Sequence, residues 1–202
     1  MPQHGMLQFF IGRNDMFGLN FDSPDVQEYF RVVYHETIDP SVTLEQIQAL
    51  GVVDPTQSEP GNTPLTGEYA IEVSKKTSYM GPCSYTFEHL ILPIVHQICG
   101  KQMDIDEYYS FFDDDELEYM DEVMASTGHQ MLGYPYFTQG DPREQAHYQR
   151  YDTLLLQIDS EMGEDRRDYV LWGDCGVANF FIGLDDLKNR DFSRVFYTWD
   201  CC

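Results

Sequence analysis

The sequence is short of positive charge. Twelve Lys and Arg residues face 35 Asp and Glu, a formal charge of −23 at pH 7. Nucleic-acid binding depends on cations that displace condensed counterions, and an anionic membrane surface attracts basic segments. Neither partner is expected. Long apolar runs are lacking too. No stretch approaches the roughly 18 residues of a membrane span, and Met1 to Gly5 has neither the basic flank nor the apolar core of a secretory signal. Cysteine is sparse: Cys83, Cys99, Cys175, Cys201 and Cys202 are odd in number and form no C-x-x-C pair of the zinc or redox kind. Adjacent Cys201 and Cys202 would bridge only with strain. Reduced thiols in a cytoplasmic protein are the expectation. His4, His35, His89, His96, His129 and His147 show no H-E-x-x-H spacing, and neither a Gly-rich phosphate loop nor a G-x-S-x-G elbow is present. These absences disfavour a nucleotide enzyme and a serine hydrolase, and no cofactor or metal is called for.

What the 202 residues do contain is apolar and aromatic surface, 42% apolar with 14 Tyr and 13 Phe. That is enough to offset the entropy of ordering the chain in one domain. Strands are predicted at Met6 to Gly12, Phe30 to His35, Thr153 to Asp159, Tyr169 to Trp172, Val177 to Ile182 and Arg194 to Tyr197. A short capped helix opens at Ser41 to Glu45 and stops before Gly51. Residues 54 to 67 read as loop from their Pro and Gly, and Glu68 to Val73 reads as a strand or a helical turn. Tyr85 to Cys99 has helical spacing interrupted by Pro93, and Leu184 to Asn189 is a short helical turn.

Asp104 to Glu122 holds ten acids in nineteen positions and no base. Leu117, Met120, Val123 and Met124 line one face, so the stretch reads as a solvated amphipathic helix rather than a cation site. Asp113 to Glu116 has neither the alternating ligands nor the central Gly of a calcium loop.

An internal repeat is also visible. Gly5, Phe9, Phe10, Ile11 and Gly12 match Gly176, Phe180, Phe181, Ile182 and Gly183 at an offset of 171. Arg31-Val32-Val33-Tyr34 then matches Arg194-Val195-Phe196-Tyr197 at 163, so the first copy carries an eight-residue insertion within Met16 to Phe30. The order of the two matches points to duplication. The expected fold is therefore α+β, sheet-rich and internally duplicated, with a few short helices. Its first copy is partial, at about residues 4–36, and its second lies at about 129–200. The second copy has a strand upstream (Leu154 to Asp159) that the first lacks. A sheet edge is thus expected to stand open, or to be covered by another chain in a homo-oligomer.

His129 to Gln139 (HQMLGYPYFTQ), followed by Asp141-Pro142-Arg143, resembles a block of the bacterial YwqG-like family, domain of unknown function 1963. Leu154 to Ser160, Trp172-Gly173-Asp174 with Gly176, Asn179 to Ile182, Asp186-Leu187 and Asp191-Phe192-Ser193 with Val195 complete the likeness, and Gly5 to Ile11 matches the family's earlier copy. The family's N-terminal portion, with its own Gly-Gly-x-Pro block and strand, has no counterpart here. The resemblance implies an α+β duplicated fold and a cytoplasmic setting. It brings no established reaction and no accepted catalytic residues.

Three constellations invite a functional reading. Cys175, in a turn with Asp174, would be a nucleophile if His129 or His147 lay beside it; a tolerant turn position is the simpler account. Asp159, Glu161 and Asp174 could form a carboxylate cluster for acid–base work or a divalent cation, although Asp at strand ends more often caps turns. Tyr134, Pro135, Tyr136 and Phe137 with Arg143 could form a rigid aromatic anchor, or simply cover one end of the sheet. The favoured reading is a non-catalytic binding module whose acidic surface engages a basic protein, as an inhibitor or immunity-type partner would. The alternative is a small-molecule or metal-dependent enzyme built around Asp159 and Asp174.

Overall fold

The structure, a computed structural model, describes residues 1–51 and 63–201. In chain order it contains strands β1 (Met6–Ile11) and β2 (Phe30–His35), then helices α1 (Leu44–Ala49), α2 (Thr86–Cys99), α3 (Ile105–Tyr109) and α4 (Asp114–Met124). Strands β3 (Thr153–Asp159), β4 (Glu161–Met162), β5 (Asp168–Val170) and β6 (Val177–Ile182) follow, then helix α5 (Leu184–Lys188) and strand β7 (Val195–Asp200). The architecture is α+β. Three antiparallel sheets run β1-β2, β3-β6-β7 and β4-β5.

All six residues of β6 are buried. An alternating strand covered on one face only would leave every second residue wet, so both faces of β6 must be packed. On one face Ala178, Phe180 and Ile182 meet Phe30, Val32, Trp172, Phe192 and Tyr197. On the other, Phe181 meets Phe137, Tyr148, Tyr151, Leu154 and Phe196. A register shift between Leu154 and Leu156 in β3 turns Leu155 and Leu156 to the first face together. Each large side chain so buried contributes about 1.5–3 kcal/mol.

The first face is roofed by the β1-β2 pair. Phe9 lies 5.1 Å from Phe180, and Phe30 lies 5.2 Å from Tyr197, so β1 sits over β6 and β2 over β7. The connection between β1 and β2 is stitched onto β7: Tyr197 N–H donates to Pro24 O (2.9 Å), Tyr197 OH to Phe17 O (2.9 Å) and Trp199 Nε1–H to Met16 O (2.8 Å). Gln27 closes that side, accepting from Val32 N–H and donating to Phe192 O, each at 2.7 Å. In both β1-β2 and β6-β7 the chain runs strand, connection, antiparallel strand. Superposing the first strands at offset 171 brings the second strands together at 165, two residues from the offset of the Arg-Val-x-Tyr match.

The opposite face is covered by residues 134 to 151. Arg143 lies 3.9 Å above the Phe181 ring. Its Nε and Nη2 donate to the two oxygens of Asp141, at 2.9 and 2.6 Å, and Nη1 donates to Tyr151 O at 3.1 Å. Both side chains are almost fully buried.

The helices depart from expectation in three places. The acidic stretch forms two helices, each started by its own cap: Asp104 accepts from Glu107 N–H (2.8 Å), and Asp113 forms a capping box with Glu116. Residues 68 to 73 form neither strand nor helix; Ile71 and Val73 project into solvent, and no strand among the described residues pairs with them. Helix α2 continues through Pro93, on a largely exposed face. Of the expected loop at 54 to 67, residues 54 to 62 lie outside the described residues. Pro64 and Thr66 run beside β5, bonded to Leu171 and Tyr169.

Arg143→Met leaves Asp141 charged and buried without its cation. Urea unfolding is expected to show a loss of about 3–5 kcal/mol. A loss under 1 kcal/mol would mean that the pair is not what holds the 134 to 151 segment down.

Candidate functional site

Two of the three carboxylates singled out by sequence, Asp159 and Glu161, collect at the far end of β3. Gln130 and Gln157 exchange backbone hydrogen bonds (3.1 and 2.8 Å), which lays residues 128 to 130 along the outer edge of β3. That bridge brings His129 to Asp159 and Glu161. His129 Nδ1 accepts from Asp159 N–H at 3.0 Å, and Nε2 lies 2.7 Å from Glu161 Oε2. The accepting Nδ1 fixes the neutral tautomer, so Nε2–H donates to Glu161. Both side chains are partly exposed. Asp159 is occupied by main chain: Oδ2 accepts from Gly128 N–H (2.6 Å) and Oδ1 from Ser160 N–H (2.9 Å). It caps the turn.

Asp174 and Cys175 stand on the exposed turn before β6. Ser160 anchors that turn, with Oγ–H donating to Gly176 O (2.7 Å) and accepting from Trp172 N–H (3.0 Å). A side chain at Gly176 would put its Cβ 1.8 Å from Asp200 O, so the turn can close only on glycine. Asp174 has no hydrogen-bond or ion-pair partner among the described residues, and no group of three metal-ligating side chains is found among them. Three of the five candidates, His129, Asp159 and Glu161, therefore meet. Asp174 and Cys175 are held nearby on a separate turn. An open depression of about 290 Å³ lies elsewhere, along β2, lined by Arg31, Tyr34, Arg190 and Phe192 among others. None of the five lines it.

The Gly-Tyr-Pro block divides between core and surface. Pro135, Phe137 and Arg143 are buried, Tyr136 is half-buried, and Tyr134 is 41% exposed. Its backbone is held by polar groups that sequence reasoning passed over. Gln157 is fully buried, yet its amide is saturated: Nε2 donates to Ser126 O (2.7 Å) and Gly128 O (2.8 Å), and Oε1 accepts from Tyr136 N–H (2.8 Å). Asn179 Nδ2 donates to Tyr136 O at 2.9 Å. Asp200 Oδ2 accepts from Thr138 and Gln139 N–H at 2.9 and 2.7 Å. The available signal was a lone polar residue inside an apolar strand, Gln157 in LLLQID and Asn179 in VANFFI. Hydrogen bonds are what let such residues stay in a core: those of the Gln157 amide are made at both ends, whereas Asn179 makes its Nδ2 bond and leaves Oδ1 buried without a partner among the described residues.

The family model described as Domain of unknown function (DUF1963) matches residues 1–201. The chain belongs to the DUF1963 family. No curated protein matches it. Within this DUF1963 chain, Asp141, Arg143, Gln157 and Asp200 shape the 126 to 143 surface through these contacts.

Burial pushes the Asp200 carboxyl above its ordinary 3.8, against the opposing pull of the Gln139 and Thr138 N–H groups. A carboxyl raised in the folded state stabilises the fold fully below the unfolded value. That contribution is lost as pH rises through the raised value. Asp200→Asn cannot ionise and keeps an acceptor for both N–H groups. Urea unfolding between about pH 4 and pH 7 is expected to show the variant gaining on the wild type as pH rises. A difference that does not move with pH would contradict the assignment.

Proposed function

We propose that this chain is a non-catalytic, cytoplasmic interaction protein whose acidic surface engages a basic protein, in the manner of an inhibitor or immunity partner. The charge ledger carries the reading. Seven of the twelve Lys and Arg side chains already sit in ion pairs with carboxylates of the chain itself: Lys101, Arg143, Arg150, Arg167, Lys188, Arg190 and Arg194. With 35 carboxylates against twelve cations, most carboxylates can have no cation of their own. An uncompensated field of one sign repels nucleic acid and anionic lipid, and it steers cationic proteins to the surface at rates that fall with salt. Exposed Tyr134, rigidly held beside buried Pro135, adds an amphipathic ring of the kind that anchors interfaces.

A second reading, a small-molecule or metal-dependent enzyme, draws on one observation, the meeting of His129 and Glu161 beside Asp159. It is the weaker of the two because Asp159 is spent on main-chain N–H groups and the cluster lies on an open surface.

The test is capture from native host lysate at low and high salt, followed by affinity measurement on the purified partner. One stoichiometric basic protein is expected, released by salt. Exchanging the exposed acids Asp114, Asp115 and Glu118 for amides should slow its association about tenfold at low salt. A bait that stays alone, or binding indifferent to both salt and the amide exchange, would overturn the proposal.

A further inference from the structure

Acids outnumber bases 35 to twelve in this chain, so a hollow in its surface is expected to be edged by carboxylates. The open depression of about 290 Å³ along β2 is the reverse. Two arginines line it, Arg31 of β2 and Arg190 of the turn after α5, and no acid does. Val33, Tyr34 and Phe192 supply its apolar part. The Phe192 ring is buried and meets the half-buried Tyr34 ring at 5.4 Å, so the core fixes this aromatic wall. Gln27 ties the two sides together, accepting from Val32 N–H on β2 and donating to Phe192 O opposite.

Both guanidiniums can reach a ligand. The Arg31 side chain is exposed and has no ion-pair or hydrogen-bond partner among the described residues. Arg190 is bonded to Glu36, but both side chains stand largely in water, and exposed pairs of this kind hold only weakly. The two acids nearest in sequence are already engaged. Glu36 is on Arg190, and Asp191 Oδ1 accepts from Ser193 N–H and Oγ–H at 3.0 and 2.6 Å.

The backbone at Arg190 adds a second observation. Helix α5 ends in a left-handed turn: Arg190 N–H donates to Leu187 O (3.1 Å) and Asp191 N–H to Asp186 O (2.9 Å), with Arg190 at φ 58°. Helices that close in this way usually carry glycine at that position, because a Cβ is strained there. Arginine is the costlier residue for the turn, and what it adds over glycine is a guanidinium at the depression.

We propose that the depression binds a small ring-bearing oxyanion, its carboxylate or phosphate held between Arg31 and Arg190 and its ring laid against Val33 and Tyr34. The planar fork of a guanidinium matches two oxygens of such a group. The volume, at the lower limit of ligand pockets, suits one ring and one charged group rather than a nucleotide. The open mouth leaves the far side of the ligand in water, so the affinity is modest. The site takes the opposite charge from the basic protein proposed above, and it stands or falls separately from that reading.

The isotope-labelled full chain is titrated to about 10 mM with benzoate, phenyl phosphate, inorganic phosphate and benzyl alcohol, and its amide shifts are followed by NMR. Saturable shifts at residues 31–34 and 190–193 are expected with at least one of the two ring anions, and the tighter of them names the charged group. Inorganic phosphate, which has no ring, and benzyl alcohol, which has no charge, are expected to bind about tenfold more weakly. Arg190→Gly keeps the turn that glycine favours, so its urea midpoint should equal or exceed the wild type's while binding weakens about tenfold. Arg31→Gln should weaken binding by a similar factor. Four results would each overturn the site: no saturable shift with either ring anion, equally tight binding of benzyl alcohol or inorganic phosphate, shifts spread away from the depression, or full binding by folded Arg190→Gly.

Discussion

Strand β6 is buried at every residue, and the rest of the molecule is arranged to permit that. A strand in the middle of a sheet cannot send alternate side chains to water unless one face of the sheet is wet. Here neither face is. Phe180 and Ile182 demand a roof, which β1, β2 and the connection stitched to β7 provide. Phe181 demands a floor, which the Phe137, Tyr148 and Tyr151 rings provide. The roof comes from residues 6 to 34 and the floor from residues 137 to 151, two separate segments that meet only through the sheet.

The floor explains why polar residues lie so deep. Residues 126 to 151 pass along the edge of β3 and then beneath the sheet largely without regular structure, and such a segment brings unpaired N–H and C=O groups into the core. Gln157, Asn179 and Asp200 project from the sheet to meet them. Arg143 does the same for Tyr151 O while its guanidinium rests on Phe181. The buried acid beside it, Asp141, holds the arginine in place rather than adding to the surface field. Elsewhere the acids do two jobs at once: Asp104, Asp113 and Glu116 start helices α3 and α4, where the positive end of the helix favours them, and still face solvent.

Much of this was legible in the sequence where a signal is local. β1, β2, β3 and β6 fall where runs such as MLQFFI and VANFFI place them, because apolar aromatic runs of that length have few other uses. The acidic stretch misled, since ten acids in one run hide the two N-caps that divide it. Glu68 to Val73 misled for the opposite reason: it alternates like a strand, but no strand among the described residues pairs with it. The candidate site was legible only in part. His129 meets Asp159 and Glu161 through the Gln130–Gln157 bridge, a contact between segments 27 residues apart that no local pattern announces. Gln157 and Asp200 were hidden for the same reason, their partners being backbone groups of a distant loop. The repeat expected from side chains puts the second strands at an offset of 163, whereas the ladders, aligned on their first strands, put them at 165.

Packed on both faces, β6 is expected to be the last element to open. Native-state amide hydrogen exchange measures this directly. Amides of residues 178 to 181 are expected to exchange only through global unfolding, with an opening free energy equal to that from urea denaturation, while those of β1 exchange at lower cost. Exchange of the β6 amides well below the global value, with β1 and β2 still protected, would contradict it.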